Sequence, residues 1–350
     1  MTSLLKVSPG AAFKPRAWKA GVSSRGGLCL VCDKKIFSLF GRKVAAALRR
    51  INKNLIVYQL PGGESAKSWA AVQALIAAMS RARLGRDALV VALGGGTVTD
   101  AAGFAASIYL RGVPWVSVPT TLLGQLDGGL GGKVAINIPG GKNLVGAFHQ
   151  PRAVVCDLDL LDSLPRRERV SGLAEAIKCG LVFDPALYRF IERRWEPLCR
   201  GEPRATALVI SKAAGLKLKA VAQDERETLG RRELLNFGHT LGHALEAAAG
   251  LGRLRHGEAV IWGMRAALKL SVSQAGFPRR QAEAIDSFLG SVDIPLPSGL
   301  APRAIVSASH RDKKALAGRS RFVLLRAPGR PVTGVEVPDA RIVEVVAEIL

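Results

Sequence analysis

Between residues 28 and 161 the chain alternates short apolar runs with longer segments whose apolar positions recur every three to four residues. The runs "LCLVCD", "NLIVYQL", "ALVVALGGG", "PWVSVPTT" and "RAVVCDLDLL" read as strands, whereas "SAKSWAAVQALIAAMSRA" and "VTDAAGFAASI" carry the helical period. Continuously apolar strands separated by helices predict a parallel sheet covered on both faces, that is, an α/β Rossmann-like domain. After about residue 165 strand signals thin out and the pattern becomes mainly helical, broken at Gly and Pro, with "SRFVLLRAPG" as a lone late strand. The expected organisation is an α/β domain over 1–165 and a mainly α-helical domain over 166–350.

Length and composition add bounds to this picture. A chain of 350 residues accommodates two domains, each with its own core. No run of eighteen apolar residues occurs, so no membrane-spanning helix is expected, and the opening "MTSLLKVSPGAAFKPRAWKAG" reads as a ragged terminus rather than a signal peptide. A cytoplasmic location is the expectation. Cys29 and Cys32 form a CxxC in an apolar strand, where they point to opposite faces; the odd total of five cysteines also argues against a disulfide framework. The net charge of +22 raises the question of nucleic acid, but the basic residues are scattered, with no basic tail and no aromatic-interleaved stripe of the single-strand-binding kind. Specific nucleic-acid recognition is therefore not expected. Solubility, weak polyanion binding and attraction of an anionic substrate account for the charge.

Candidate chemistry is concentrated in four places. The strand "ALVVALGGG" runs into a helix of small residues, so backbone N–H groups and the helix N-terminus can approach a phosphate; nearby "LPGGESAKS" offers Glu64 and Lys67, and the strand-end Asp33 suits a ribose hydroxyl. Residues 111–150 read as a glycine-rich loop. It carries the cations Arg111, Lys133 and Lys142 beside Asp127, Asn143 and the Thr120–Thr121 pair, a composition suited to an anion. Glu175 and Lys178 lie three apart on an apolar helix, either as an intrahelical ion pair or with Glu175 as a metal ligand. Finally His239 and His243, four apart in a helical pattern, are followed by His256 across a short turn, with Lys217, Glu227, Arg232 and Asn236 just upstream. The histidine spacing suits a metal or a proton-transfer site, while an isolated HxxxH is equally compatible with two hydrogen-bonded helical histidines.

The order of these motifs is recognisable. GGG-x3-D, IYLRG, PTTLL-x2-D, GGK, GKN, GAFHQP, LPxRE, GLAExIK, K-x6-DERE, LLNFGHTxGHA and HGEAV together resemble the 3-dehydroquinate synthases, a branch of the sugar phosphate cyclases, over about residues 60–325. The resemblance implies an NAD-binding N-terminal domain, a metal-binding C-terminal domain and a homodimer. It implies conversion of 3-deoxy-D-arabino-heptulosonate 7-phosphate to 3-dehydroquinate and phosphate, with NAD used and regenerated. By the same resemblance Glu175, His239 and His256 would hold a divalent metal, zinc or alternatively cobalt, with His243 a nearby polar group. Cofactor binding would fall to Asp33, Glu64, Lys67, Gly95, Gly96, Thr97, Asp100, Thr120, Thr121, Asp127, Lys133, Lys142, Ser163, Leu164 and Glu168. Lys133, Asn143 and His243, with Arg111 of a second subunit, match the family's phosphate positions. Lys217, Arg232 and Asn236 match those near the substrate carboxylate and hydroxyls, Asp127 and Lys178 those near the reacting carbinols, and Lys313 or Lys314 a basic C-terminal contact.

The chain departs from the family pattern in "DGGLGGKVAIN", in Trp262, in a segment "DERETLGRRELLN" one residue longer than usual, and in its charge. Three alternatives stand beside the main reading. One is a sister cyclase resembling 2-deoxy-scyllo-inosose synthase or 2-epi-5-epi-valiolone synthase. Another is a metal-dependent oxidoreductase resembling glycerol dehydrogenase, and the last a non-catalytic basic binding protein. Arg232, Leu235 and Asn236 in "RELLNFGH" favour the dehydroquinate branch.

Overall fold

The strand "LCLVCD" shows why the first half folds as it does: with no polar residue before Asp33, both of its faces must be covered. Cys29 and Val31 join Val90, Ala92, Leu75 and Ala102 in one apolar cluster, while Leu28, Leu30 and Cys32 join Val44, Leu48, Leu89 and Val91 in another. The computed structural model describes residues 4–14, 26–250, 252–310 and 321–350. Its chain divides into two units, Met1–Pro165 with Gly201–Arg226, and Arg166–Arg200 with Glu227–Leu350. A single boundary at 165 would leave 201–226 in the helical half; in the structure that segment, containing the helix Pro203–Gln223, belongs to the first unit.

The first unit is built on a six-stranded parallel sheet. Its strands are β1 (Leu4–Val7), β2 (Leu28–Asp33), β3 (Leu55–Leu60), β4 (Leu89–Gly94), β5 (Trp115–Pro119) and β8 (Ala153–Cys156), in the order β1-β8-β5-β4-β2-β3. The expected Rossmann-like α/β sheet is thus present. The opening residues are not ragged throughout: Leu4–Val7 pair in parallel with Ala153–Cys156 at the sheet edge. Residues 111–150 are also not one loop. β6 (Lys133–Ile138) and β7 (Gly141–Phe148) form an antiparallel hairpin, because the alternating "VAINI" and "LVGAF" segments flank a Pro-Gly-Gly turn that reverses the chain. The small residues of the helix Gly96–Ile108 have a packing reason: a Cβ at Gly103 would stand 2.5 Å from Val134 of the hairpin.

The second unit is mainly helical, as expected. Its longest buried element is the helix Arg166–Phe183, in which every residue from Arg169 to Val182 is buried. The segment "SRFVLLRAPG" is not a lone strand: β9 (Arg321–Ala327) pairs antiparallel with β10 (Arg330–Glu336), whose Pro331 and Gly334 obscure its strand pattern. Among the described residues no helix is long and apolar enough to cross a membrane. All five cysteines are buried and free, and burial pushes the Cys29 and Cys32 thiols up to about 12.

Candidate active site

The register of the sheet places the cofactor-type residues on one edge. Asp33 pairs with Leu60, Val31 with Ala92, and Gly94 with Pro119. The carboxyl ends of β2, β3, β4 and β5 therefore bring Asp33, the Gly62–Lys67 turn, Gly95–Gly96–Thr97 and Thr120–Thr121 to the same side, where ligands bind in open α/β sheets. Gly95 stands before the helix that begins at Gly96 and offers no capping side chain; its carbonyl takes Val98 N at 3.0 Å, and the N–H groups of Gly96 and Thr97 stay available to an anion. Asp33 also works locally, its Oδ1 accepting from Ile36 N at 2.8 Å. Thr121 Oγ1 accepts from Gly124 N at 3.0 Å, and the buried Thr120 hydroxyl has no hydrogen-bond partner among the described residues.

Lys67, buried beneath this edge, makes an ion pair with Asp100 and donates to Asn143 Oδ1 at 2.5 Å. Burial pushes the Asp100 carboxyl up to about 6, against the lowering effect of Lys67. Asn143 sits in a left-handed backbone (φ 55°), and its N–H donates to Asn137 Oδ1 at 3.0 Å, while Asn137 donates to Glu64 at 2.7 Å. Residues expected to be independent contacts thus form one network, from Glu64 through Asn137 and Asn143 to Lys67 and Asp100. Asn137 was missing from the sequence-based set; its cue is the polar position two residues before the hairpin turn in "VAINIPGG". Lys133 and Lys142 lie exposed on the hairpin, and Arg111 is exposed on a left-handed backbone (φ 67°).

Lys217 has a different setting from the one expected upstream of the histidines. It lies in the first unit, paired with the Asp127 carboxylate and donating to the Asp127 carbonyl at 2.8 Å. Asp127 occupies a π-turn, Gly124–Gly128, closed by Gly129 N donating to Gly124 O at 2.8 Å. In "DGGLGGKVAIN" the GGK glycines, Gly131 (φ 82°) and Gly132 (φ 63°), make a left-handed turn, and a Cβ on Gly132 would meet the Gln150 backbone at 2.8 Å; of the departing Gly-Gly pair, a Cβ on Gly129 would meet Gly124 O at 2.7 Å, whereas one on Gly128 meets nothing within 4 Å. Ser163 follows the 3-10 turn Leu158–Leu161, and Leu164 N donates to Leu161 O at 2.9 Å.

In the second unit the histidine motif is a true helical pair. Gly238 (φ 78°) caps the helix His239–Ala249, and His256 opens the helix His256–Ala275. Two close approaches bring these helices and Arg166–Phe183 together. A Cβ at Gly263 would meet Gly238 O at 1.9 Å, and one at Gly257 would meet Ser171 O at 1.9 Å; Gly257 N donates to Ser171 Oγ at 3.0 Å. Ser171 is one helical turn before Glu175, so the Gly257 contact is what delivers His256 to that carboxylate.

The result is a convergent set of donor atoms. Glu175 Oε1 lies 3.5 Å from His239 Nε2 and 3.3 Å from His256 Nε2, and ligand atoms of His239, His243 and His256 all lie within 4.8 Å of one another. His239 Nδ1 faces Phe237 O at 3.3 Å and His256 Nδ1 faces Glu246 at 3.6 Å, so both rings turn Nε2 inward. Glu175 is ion-paired with Lys178, both buried, yet neither carboxylate oxygen has a hydrogen bond of good geometry. A buried carboxylate facing two inward imidazole nitrogens is a donor set that fits a divalent cation. Burial opposes the Glu175 charge, but Lys178, His239 and His256 hold its carboxyl well below the usual range. Burial, helped by Lys178, keeps His239 neutral; at His256 burial is outweighed by Glu175 and Glu246, which raise it to about 9. The expected pairing of Glu175 with Lys178 and its place beside the histidines therefore coexist.

Glu246 is the second residue absent from the sequence-based set. It stands three residues after His243 and seven after His239, hence on the same helical face. Arg232 is buried and Asn236 half-buried in the 3-10 turn Arg232–Asn236; Glu168 pairs with Arg255 at 2.9 Å. Trp262 packs its ring on the Arg265 guanidinium, 4.6 Å from the ring centroid. Lys313 and Lys314 lie outside the described residues.

Comparison with known proteins matches 3-dehydroquinate synthase N-terminal to residues 57–171 and 3-dehydroquinate synthase C-terminal to residues 172–315. The chain belongs to the 3-dehydroquinate synthase family. It is 42% identical over 307 residues to the 3-dehydroquinate synthase of Bordetella pertussis, covering 87% of this chain and 86% of that one. Among solved structures it resembles 2-epi-5-epi-valiolone synthase from Streptomyces hygroscopicus with NAD+ and Zn2+ bound, with TM-score 0.87, 28% identity, and coverage of 100% and 97%. It also resembles 2-deoxy-scyllo-inosose synthase complexed with carbaglucose-6-phosphate, NAD+ and Co2+, with TM-score 0.86, 26% identity, and coverage of 95% and 94%. The higher identity to the 3-dehydroquinate synthase of B. pertussis favours that family over the sister cyclases, and the chain is an enzyme of that family.

Proposed function

We propose that this chain converts 3-deoxy-D-arabino-heptulosonate 7-phosphate to 3-dehydroquinate and phosphate, as a cytoplasmic homodimer. The observation that carries the reading is the convergence of Glu175, His239 and His256, joined to a family match that spans residues 57–315. When bound, NAD supplies a reversible hydride acceptor, and the divalent metal, zinc or cobalt, a Lewis acid for substrate hydroxyls. The overall change expels phosphate and closes a carbocycle with no net oxidation, so hydride removed from a carbinol returns in the same turnover.

The chain's own residues divide this work. Glu175, His239 and His256 hold the metal; His243, within reach of the same point, is a fourth donor or a substrate contact. The first-turn N–H groups of Gly96 and Thr97, which follow Gly95, hold the dinucleotide pyrophosphate, and Asp33 accepts from a ribose hydroxyl. Glu64, Lys67, Asp100, Thr120, Thr121, Ser163, Leu164 and Glu168 complete the cofactor contacts. Lys133, Lys142 and Asn143 hold the substrate phosphate, with Arg111 contributed by the second subunit. Lys217, Arg232 and Asn236 orient the carboxylate and hydroxyls, and Asp127 and Lys178 position protons at the reacting carbinols.

The test is direct. The purified protein with substoichiometric NAD and zinc should release many equivalents of phosphate from the heptulosonate phosphate and accumulate no NADH. Glucose 6-phosphate and sedoheptulose 7-phosphate should give none. NADH rising one for one with product would make the chain a dehydrogenase, and turnover of either other phosphate would move it to a sister branch.

A further inference from the structure

The reaction leaves the net charge of +22 unused, and a substantial share of it is organised on one face. From Lys34 to Gly63 the sequence contains no Asp or Glu. Within this stretch lies a continuous helical segment, α over Lys34–Ile36, π over Phe37–Gly41 and α over Arg42–Arg49. Its exposed cations come in adjacent pairs, Lys34 with Lys35, Arg42 with Lys43, and Arg49 with Arg50 at the helix end. Among the described residues none of the six enters an ion pair; Lys43 lies over the Phe13 ring at 5.9 Å. Val44, Ala45, Ala47 and Leu48 bury the opposite face in the core.

The π-turn keeps the pairs in line. Arg42/Lys43 and Arg49/Arg50 are seven residues apart, about two α-helical turns, so they share a face. Lys34/Lys35 and Arg42/Lys43 are eight apart, which in an uninterrupted α-helix would rotate the first pair by roughly 80°. The wider turn at Phe37–Gly41 absorbs the additional residue, and the exposure pattern stays in phase through Ser38, Leu39 and Ala46. The outcome is three cation pairs about 10 Å apart in a straight row.

We infer that this face binds the phosphate backbone of a nucleic acid without reading its sequence. The row sets six cations along about 20 Å, and a duplex carries roughly one phosphate charge per 1.7 Å of its axis, so several phosphates fall within reach of the row at once. A lipid surface is the weaker match, because the apolar side of this helix is already buried in the protein and Leu39 alone is left to enter an acyl layer. The row is an exposed band of point charges on a helix whose other side is held in the core, so its contacts fall on phosphates, and binding is electrostatic and follows salt.

The experiment is fluorescence anisotropy with a labelled 20-base-pair duplex of arbitrary sequence, titrated between about 50 and 200 mM salt. Neutralising Arg42, Arg49 and Arg50 to Gln should weaken binding at least tenfold at low salt and lower the slope of log K against log salt by about 3. The same number of neutralisations at the exposed Arg279, Arg280 and Arg303 of the other unit should do much less, and kcat/KM should be unchanged in both variants. Equal loss in both variants would reduce the effect to net charge. Binding to vesicles rich in phosphatidylglycerol without binding to the duplex would assign the face to membrane. Either result, or the absence of salt-dependent duplex binding by the parent, overturns the inference.

Discussion

His256 stands between two carboxylates, with Nε2 3.3 Å from Glu175 Oε1 and Nδ1 3.6 Å from Glu246 Oε2. Glu175 is buried and Glu246 half-buried, so the two carboxylates orient the ring, and with Nδ1 held by Glu246 it is Nε2 that would turn to a metal. Glu246→Gln should therefore weaken zinc affinity by roughly 10–100-fold, measured by competition with a chelator, and leave the fold intact. An unchanged affinity would make the Glu246 contact incidental.

Removal of the donors themselves should be harsher. Glu175→Ala, His239→Ala and His256→Ala should each lose bound metal and activity together, whereas His243→Ala should retain metal and lose activity. Metal content of the four purified variants by elemental analysis decides the matter. Equal metal loss in His243→Ala would make it a full ligand, in keeping with its position within 4.8 Å of the other imidazole donors.

Gly257 should tolerate no side chain. Its Cβ would fall 1.9 Å from Ser171 O, a backbone atom that cannot step aside without moving the helix that carries Glu175. Gly257→Ala should destabilise the protein by about 1–3 kcal/mol and also lower zinc content. A parent-like melting temperature would show that the two helices separate easily.

Asp100 should leave a mark on the pH dependence of stability. Its carboxyl is raised from 3.8 to about 6, first by burial, so the folded state holds the proton more tightly than the unfolded chain. The stability this gives is complete below about pH 4 and is lost as pH rises through about 6. Asp100→Asn lacks that loss, so the melting temperature of the parent should fall relative to the variant between pH 4 and 6 and run parallel above it. Parallel curves throughout would mean that Lys67 cancels the burial effect.

Lys133→Met and Lys142→Met should lower kcat/KM by roughly tenfold to a few hundredfold, the range for a charge-assisted contact to phosphate. Both residues are exposed on the hairpin, so thermal stability and metal content should stay near those of the parent. A substrate analogue without phosphate should bind parent and variants alike; if it separates them as strongly as substrate does, the lysines serve the fold.

By itself the sequence determined what depends on short spacing and local pattern. Apolar runs such as "LCLVCD" dictated a sheet buried on both faces, the fourfold spacing of His239 and His243 dictated one helical face, and motif order dictated the family. It left undecided whatever depends on residues distant along the chain. "VAINIPGGKNLVGAF" was too rich in glycine to betray its hairpin, and Pro331 and Gly334 concealed the partner of β9. The pattern gave no sign that the Pro203–Gln223 helix belongs to the first unit, which pairs Lys217 with Asp127. Nor could spacing show that Glu175 meets His256, eighty-one residues away. That encounter rests on Gly257 closing against Ser171, a contact between backbones, and backbone proximity has no signature in hydrophobic pattern. The same holds for Asn137 and Glu246, whose roles come from the side chains that tertiary packing sets beside them.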